Sequence, residues 1–145
     1  MSQENVETFR RHVAWANSQG PDAIDQVAAL YHPDAEARDL QPGPGMPEAM
    51  QGRAEIVASW RQWLEVLDNW SLEVRELVDA DPWVISDSHW HAVGKGSDVP
   101  IDWRVVEAYE FKNGQIVRAV FGFSDVAAAV EAVRLSEQEA HADSS

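Results

Sequence analysis

The sequence predicts a single α+β domain in which helices cover one face of a curved, mostly antiparallel sheet. Two observations predict this class: apolar residues recur at helical spacing through the first half of the chain, and period-two alternation dominates from residue 70 onward. With 145 residues and a hydrophobic fraction of 45%, the chain has the size and composition of one globular domain. A sheet that curls over helices is expected to enclose a conical cavity.

Three helices are predicted ahead of the long strands. The first spans residues 3–18 and the second residues 22–31, because apolar side chains in both recur every three or four positions. Pro33 ends the second helix, since the residue before a proline disfavours helical geometry. The third helix covers residues 53–67, where the apolar side chains form one broad stripe.

Strands and turns account for most of the remaining sequence. A short strand is expected at residues 35–39, and a loop rich in Pro and Gly follows at 40–47, where it is a candidate lid. Four longer strands are predicted at residues 70–79, 83–93, 101–112 and 115–124. Asn113-Gly114 is a type I′ hairpin signal between the last two. A short helix from residue 125 to about 135 closes the domain, and the acidic residues 136–145 are expected to form a flexible tail.

Composition excludes several classes of function. The net charge of -14 repels nucleic acid and anionic lipid, so neither is an expected partner. The chain has no cysteine, which removes disulfides, thiolate nucleophiles and cysteine-ligated metals. The N-terminal residues lack a secretory signal, and the longest apolar run, residues 126–130, is far below the ~20 residues of a membrane span. We therefore expect a cytoplasmic protein.

Neither a cofactor nor a metal ion is expected. The sequence contains no dinucleotide fingerprint, phosphate-binding loop or serine nucleophile elbow. His89 and His91 lie two residues apart on one strand face, a spacing that suits either a metal or an acid–base pair. We favour a solvent-facing pair, because no third ligand has a spacing that would join them. Asp102 and Arg104 are expected to form cross-strand ion pairs on the face opposite Glu107.

Four segments of the sequence resemble SnoaL-like proteins of the nuclear transport factor 2-like (NTF2-like) superfamily. In chain order they are Leu30-Tyr31-His32-Pro33-Asp34-Ala35-Glu36, Gly52-Arg53-Ala54-Glu55-Ile56, Asn113-Gly114-Gln115-Ile116-Val117 and Asp125-Val126-Ala127-Ala128-Ala129. The resemblance covers roughly residues 3–135 and implies a cone-shaped fold that pairs as a homodimer. Relatives include ketosteroid isomerases, polyketide cyclases, scytalone dehydratase and limonene epoxide hydrolase, so the fold alone selects no reaction.

The resemblance to ketosteroid isomerases implies three catalytic positions. His12 stands where those enzymes have a tyrosine, Asp39 where they have the base, and Glu107 where they have a protonated aspartate. Only Asp39 keeps the residue type, so steroid isomerisation itself is not expected. The resemblance instead implies general acid–base chemistry with Asp39 as base and with His12 and Glu107 as donors or proton shuttles.

Each of the three residues also has a purely structural interpretation. Turned inward on its strand, Glu107 should favour its neutral form, whereas an outward Glu107 is a solvated residue or an ion-pair partner of His12. His12 is equally well explained as a core or interface histidine. Asp39 could simply cap or brace the loop that follows it.

Aromatic side chains are expected to line the cavity. The sequence has seven Trp, which suit a flat apolar or aromatic ligand, although most of them should serve the core or an interface. The predicted ligand contacts are Trp15, Trp60, Trp63, Trp103, Tyr109, Phe121 and Phe123. The favoured function is a cofactor-independent acid–base enzyme for a small, largely apolar carbonyl compound. The alternative is a non-catalytic binding module or dimerising accessory domain.

Overall fold

The structure of the chain is a computed structural model that describes residues 2–19, 24 and 28–144, without the side chains of residues 2, 15, 19 and 140–144. Its helices are α1 (Ser2–Gln19), α2 (Arg53–Leu64) and α3 (Val126–Ser144). Its strands are β1 (Tyr31–Asp39), β2 (Ala49–Gln51), β3 (Leu67–Ala80), β4 (Trp83–Gly94), β5 (Pro100–Lys112) and β6 (Gln115–Phe121). No helix within these ranges combines the length and apolar character that crossing a membrane requires.

The six strands form one mixed sheet in the order β2-β1-β6-β5-β4-β3. β1 pairs parallel with β6, and every other neighbouring pair is antiparallel. The β5–β6 hairpin turns at Asn113 and Gly114, whose φ angles of 53° and 79° are both positive, as a type I′ turn requires. The predicted α+β class and the predicted hairpin are therefore confirmed.

Alternation along the strands divides the sheet into an inner and an outer face. α1 and α2 cover the inner face, where Phe9 of α1 packs against Tyr109 of β5 in the larger core. α3 covers part of the outer face and buries Trp83 and Val133 in a second core. Glu107 shares the face of Tyr109, since the two residues are two positions apart on one strand, and it therefore points toward α1 and α2 rather than toward α3.

The arrangement of helices differs from the prediction. α1 is the one long helix described ahead of the first strand, and α2 follows β1 and β2, so the helices do not form the predicted N-terminal group of three. The predicted helix at residues 22–31 falls largely outside the described residues. Its last residue, Tyr31, begins β1 and pairs with Ile116 of β6, so this part of the prediction is wrong. Strand β2 was not predicted, because three residues are too few to show alternation.

The C-terminal helix is longer than predicted. It was expected to be short and to end near Leu135, yet α3 continues to Ser144, so most of the predicted tail at residues 136–145 is helical. Ala, Glu, Gln and Arg, all strong helix formers, are frequent in residues 131–140. Glu137 also accepts a hydrogen bond from the Trp83 indole Nε1 at 3.1 Å, which holds this part of α3 on the sheet.

One side chain fastens the end of α1 to the edge strand β3. The Asn17 amide donates to the Leu72 carbonyl at 2.8 Å and accepts from the Leu72 N–H at 2.9 Å, as a neighbouring strand would. We expect Asn17→Ala to lower the free energy of unfolding by about 1 kcal/mol, because both bonds are lost. Urea denaturation measures the change. Gln3→Ala is the control, since the Gln3 bond to Glu7 is exposed and 3.5 Å long, and an equal loss in both variants would contradict the prediction.

Candidate active site

A carboxyl group faces the helices from the middle of β5. Glu107 is half-buried, and the hydroxyl of Tyr109 donates a hydrogen bond to its Oε1 at 2.6 Å. Burial raises the pKa of Glu107 to about 7; the Tyr109 hydrogen bond opposes this rise and the charge of Asp39 adds to it. Near neutral pH the group is therefore present in both its acid and its carboxylate form.

Asp39 lies on the same face, two strands away from Glu107. Both residues pair with Phe121 of β6, Asp39 from β1 and Glu107 from β5. Because neighbouring strands are about 4.8 Å apart, the two Cα atoms are separated by roughly 10 Å. Asp39 Oδ1 accepts a hydrogen bond from the Gln41 N–H at 2.9 Å, so one carboxylate oxygen does brace the following loop.

His12 is not joined to these two carboxyl groups. Its Nδ1 donates to the Thr8 carbonyl, one turn earlier in α1, at 2.9 Å. A carbonyl can only accept, so Nδ1 carries the hydrogen in this contact. Among the described residues His12 forms no hydrogen bond or ion pair with Glu107 or Asp39. The contact with Thr8 supports the structural interpretation, in which His12 is a core or interface histidine whose ring nitrogen is satisfied.

Tyr31 is a neighbour of Glu107 that the sequence analysis missed. It is 4% exposed and packs edge-on against Trp60, with ring centroids 5.2 Å apart. Burial raises the pKa of Tyr31, and the charge of Glu107 raises it further. The two side chains are therefore close enough to interact electrostatically. The available signal was Pro33, which favours extended backbone in His32, the residue directly after Tyr31.

Four tryptophans form a continuous row on the inner face, here called the tryptophan row. Trp63 of α2 contacts Trp103 at 6.2 Å, Trp103 stacks on Trp90 at 6.1 Å, and Trp90 contacts Trp70 at 5.5 Å, all measured between ring centroids. Trp63 is 40% exposed and lies against the loop at Gly43, where an added Cβ would be 3.0 Å from its ring. The row joins Trp70 and Trp90 to the predicted Trp63 and Trp103.

The other predicted aromatic contacts separate into two groups. Trp60 and Phe121 pack on Tyr31 and Tyr109 respectively, so both lie on the inner face. Phe123 packs instead in the outer-face core beside α3. The reason is Gly122, whose φ of 91° interrupts the alternation after β6, so Phe123 does not share the face of Glu107. The side chain of Trp15 lies outside the described residues.

The two histidines of β4 lie on the outer face, away from the tryptophan row. His89 Nδ1 is 3.0 Å from Asp102 Oδ1, and His91 Nε2 is 2.8 Å from Glu73 Oε1. The His89 side chain is 20% exposed and that of His91 39% exposed, so His91 is the more solvent-facing of the two. Within the described part of the chain, no three metal-ligating side chains are arranged to hold an ion.

Arg104 forms a two-pronged ion pair on the outer face. Its Nε and Nη2 donate to the two carboxylate oxygens of Asp87 on β4, at 2.9 and 2.8 Å. This two-pronged bond lowers the pKa of Asp87. Asp102 likewise contacts His89 of β4. The expected cross-strand pairing of Asp102 and Arg104 is therefore confirmed, each with a side chain of β4.

Two open clefts lie apart from the carboxyl groups. One, of about 310 Å³, lies on the outer face and is lined by Trp83 and Phe123 among others. The second, of about 360 Å³, surrounds Asn69 near the β4–β5 connection. Neither cleft is lined by Glu107 or Asp39. The aromatic and carboxyl side chains of the inner face are instead largely packed against one another.

Several solved structures share this fold. A protein proposed to be an isomerase from Bacillus subtilis has a TM-score of 0.70 and 18% identity, with 83% of this chain and 87% of that chain covered. A proposed SnoaL-like polyketide cyclase from Jannaschia sp. CCS1 has a TM-score of 0.68 and 18% identity, covering 88% and 89%. Bal32a, from a soil-derived mobile gene cassette, has a TM-score of 0.70 and 22% identity, covering 90% and 96%. At these identities the likeness shows the fold alone.

Sequence comparison reaches the level of the family. No curated protein sequence matches the chain significantly. The sequence pattern of the SnoaL-like domain matches residues 8–119, from α1 into β6, a range that includes both Asp39 and Glu107. The match thus covers most of the chain and agrees with the fold. The chain belongs to the SnoaL-like domain family.

Proposed function

We propose that this protein is a cofactor-independent general acid–base enzyme acting on a small, largely apolar carbonyl compound by isomerisation, cyclisation or dehydration. Glu107 carries the proposal, because its pKa of about 7 and its half-buried position make it a proton donor at neutral pH. A catalytic acid is most effective when its pKa lies near the working pH.

Asp39 is the base in this proposal. Its carboxylate removes a proton from the carbon next to the substrate carbonyl, the C–H electron pair becomes a carbon–carbon double bond, and the carbonyl π electrons move to the oxygen to form an enolate. Protonated Glu107 donates a hydrogen bond to that oxygen and stabilises the developing charge. Reprotonation of the same carbon by Asp39, after its proton has been replaced by a deuteron from D₂O, gives exchange, and delivery of the proton to another carbon of the enolate system gives isomerisation.

The surroundings of the two carboxyl groups suit a flat substrate. Phe121 lies between them as an apolar floor, and a gap of roughly 10 Å between the Cα atoms fits one ring with a hydrogen bond at each side. Tyr109 occupies only Oε1 of Glu107, which leaves Oε2 for the substrate. Trp103 extends the apolar surface along β5, where a flat ring can stack. Entry of the substrate requires the packed side chains of the inner face to separate.

Solvent deuterium exchange tests the proposal. We expect the wild-type protein to exchange the α-protons of 1-tetralone in D₂O, followed by NMR, and Asp39→Asn to reduce the rate at least about 100-fold. The variant keeps the oxygen that accepts from Gln41, so the loop should stay in place. Asp34→Asn, an exposed carboxyl group on the same strand, is the control and should retain the rate. Cyclic ketones that bind without any exchange would favour the non-catalytic binding module instead.

A further inference from the structure

Buried polar atoms without a partner are concentrated on the inner face. Within the described residues these side-chain atoms are Ser86 Oγ, Ser88 Oγ and Trp70 Nε1. Both serines are 0% exposed. Burial of a hydroxyl group that forms no hydrogen bond is unfavourable, and most proteins keep few such groups. Their occurrence on one face therefore requires an explanation.

The two serines connect Glu107 with the tryptophan row. Ser86 lies directly opposite Glu107 across the β4–β5 pair, and Ser88 lies opposite Val105. The next residue of β4 on this face is Trp90, which stacks on Trp103. Successive residues on one face of a strand are about 7 Å apart. The hydroxyl groups thus form a polar path from the carboxyl group to the stacked rings.

Neighbouring strands supply no acceptor for Ser88. Its partner on β3 is Val74 and its partner on β5 is Val105, and both have only apolar side chains. The hydroxyl of Ser86 makes a weak polar contact with the Tyr109 oxygen, which opposes the rise in the pKa of Tyr109, whereas Ser88 has no such contact. The Tyr109 hydrogen is already directed to Glu107 at 2.6 Å. The free protein therefore leaves the Ser88 hydroxyl without a partner and the Ser86 hydroxyl with only this weak contact.

We propose that Ser86 and Ser88 are specificity-determining residues, which donate hydrogen bonds to a second oxygen atom of the substrate, beyond the carbonyl oxygen held by Glu107. This inference rests on the proposed function, because it places the substrate carbonyl at Glu107. A substrate that carries oxygen at both ends of a flat ring satisfies the carboxyl group and the serines together, while the ring itself contacts Trp103. An apolar ring would leave the serines unpaired and bind less tightly.

Stability of the free protein gives the first test. We expect Ser88→Ala to keep or raise the melting temperature, because it removes a buried hydroxyl group that has no hydrogen-bond partner. Ser59→Ala is the matched control: Ser59 is also buried, but its hydroxyl donates to the Ile56 carbonyl at 2.8 Å, so its removal should not raise the melting temperature. If Ser88→Ala lowered the melting temperature more than Ser59→Ala does, the inference would be overturned, since Ser88 would then have a hydrogen-bond partner within the protein.

Binding of two matched ketones gives the second test. 1-Tetralone and 6-hydroxy-1-tetralone differ by one hydroxyl group at the ring end remote from the carbonyl, and quenching of tryptophan fluorescence reports their affinity. We expect wild type to prefer the hydroxylated ketone by about tenfold, and Ser88→Ala to lose most of that preference while binding 1-tetralone unchanged. An equal preference in wild type and Ser88→Ala, or binding of neither ketone, overturns the inference. Failure of the proposed function would give a different result: Asp39→Asn would then exchange α-protons as fast as wild type, whatever the serine variants do.

Discussion

Glu107→Gln is expected to flatten the pH dependence of stability between pH 4.5 and about 7. The pKa of Glu107 is raised in the folded state, so within this window the folded protein binds a proton that the unfolded chain has released. The stabilisation is therefore fully present below pH 4.5 and is lost as the pH rises through about 7. A rise from 4.5 to about 7 corresponds to at most about 3 kcal/mol. Glutamine cannot ionise, and it keeps an oxygen that can accept the Tyr109 hydrogen bond.

Urea denaturation of wild type and Glu107→Gln from pH 4.5 to pH 8 measures this difference. Asp87→Asn is the control, because its pKa shift has the opposite direction: the pair with Arg104 lowers the pKa of Asp87. Asp87 is thus ionised in both the folded and the unfolded state across most of this range, so its loss should lower stability by a nearly constant amount. If the free energy of unfolding of Glu107→Gln changed with pH as steeply as that of wild type, the pKa of Glu107 would not be raised in the folded protein.

The rate of α-proton exchange is expected to fall as the pH rises through about 7, because Glu107 then loses the proton with which it stabilises the enolate. Glu107→Ala removes the donor and should reduce exchange of 1-tetralone roughly 100- to 1,000-fold at neutral pH. Glu107→Gln retains an N–H donor, so it should keep part of the rate and lose the decline at high pH. NMR measurement of the pH–rate profile separates the three proteins.

Glu110→Gln is the control for this profile. Glu110 lies on the same strand but on the outer face, and burial also raises its pKa, so the variant changes a similar carboxyl group at a place the substrate does not reach. Its profile should match that of wild type. Should the decline near pH 7 persist in Glu107→Gln, another group would be the titrating acid.

Local patterns in the sequence determined the fold class and which residues share a strand face with Glu107. Period-two alternation located β3 to β6 within a few residues, and the hairpin at Asn113-Gly114 followed from backbone preferences of two adjacent residues. With the strand known, alternation alone placed Glu107, Trp103 and Tyr109 on one face. These features depend on neighbours in the sequence, so the sequence was sufficient to predict them.

Contacts between distant residues decided the rest of the site. Tyr31 became a strand residue because it pairs with Ile116, and three buried side-chain atoms of β3 and β4 are left without a hydrogen-bond partner by the side chains packed around them. His12 kept the local bond to Thr8 rather than the expected approach to Glu107. Helical and strand periods describe one segment at a time, whereas pairing, burial and pKa depend on what the folded chain brings alongside that segment. Only the tertiary structure could therefore assign Tyr31, Ser86 and Ser88 to the surroundings of Glu107.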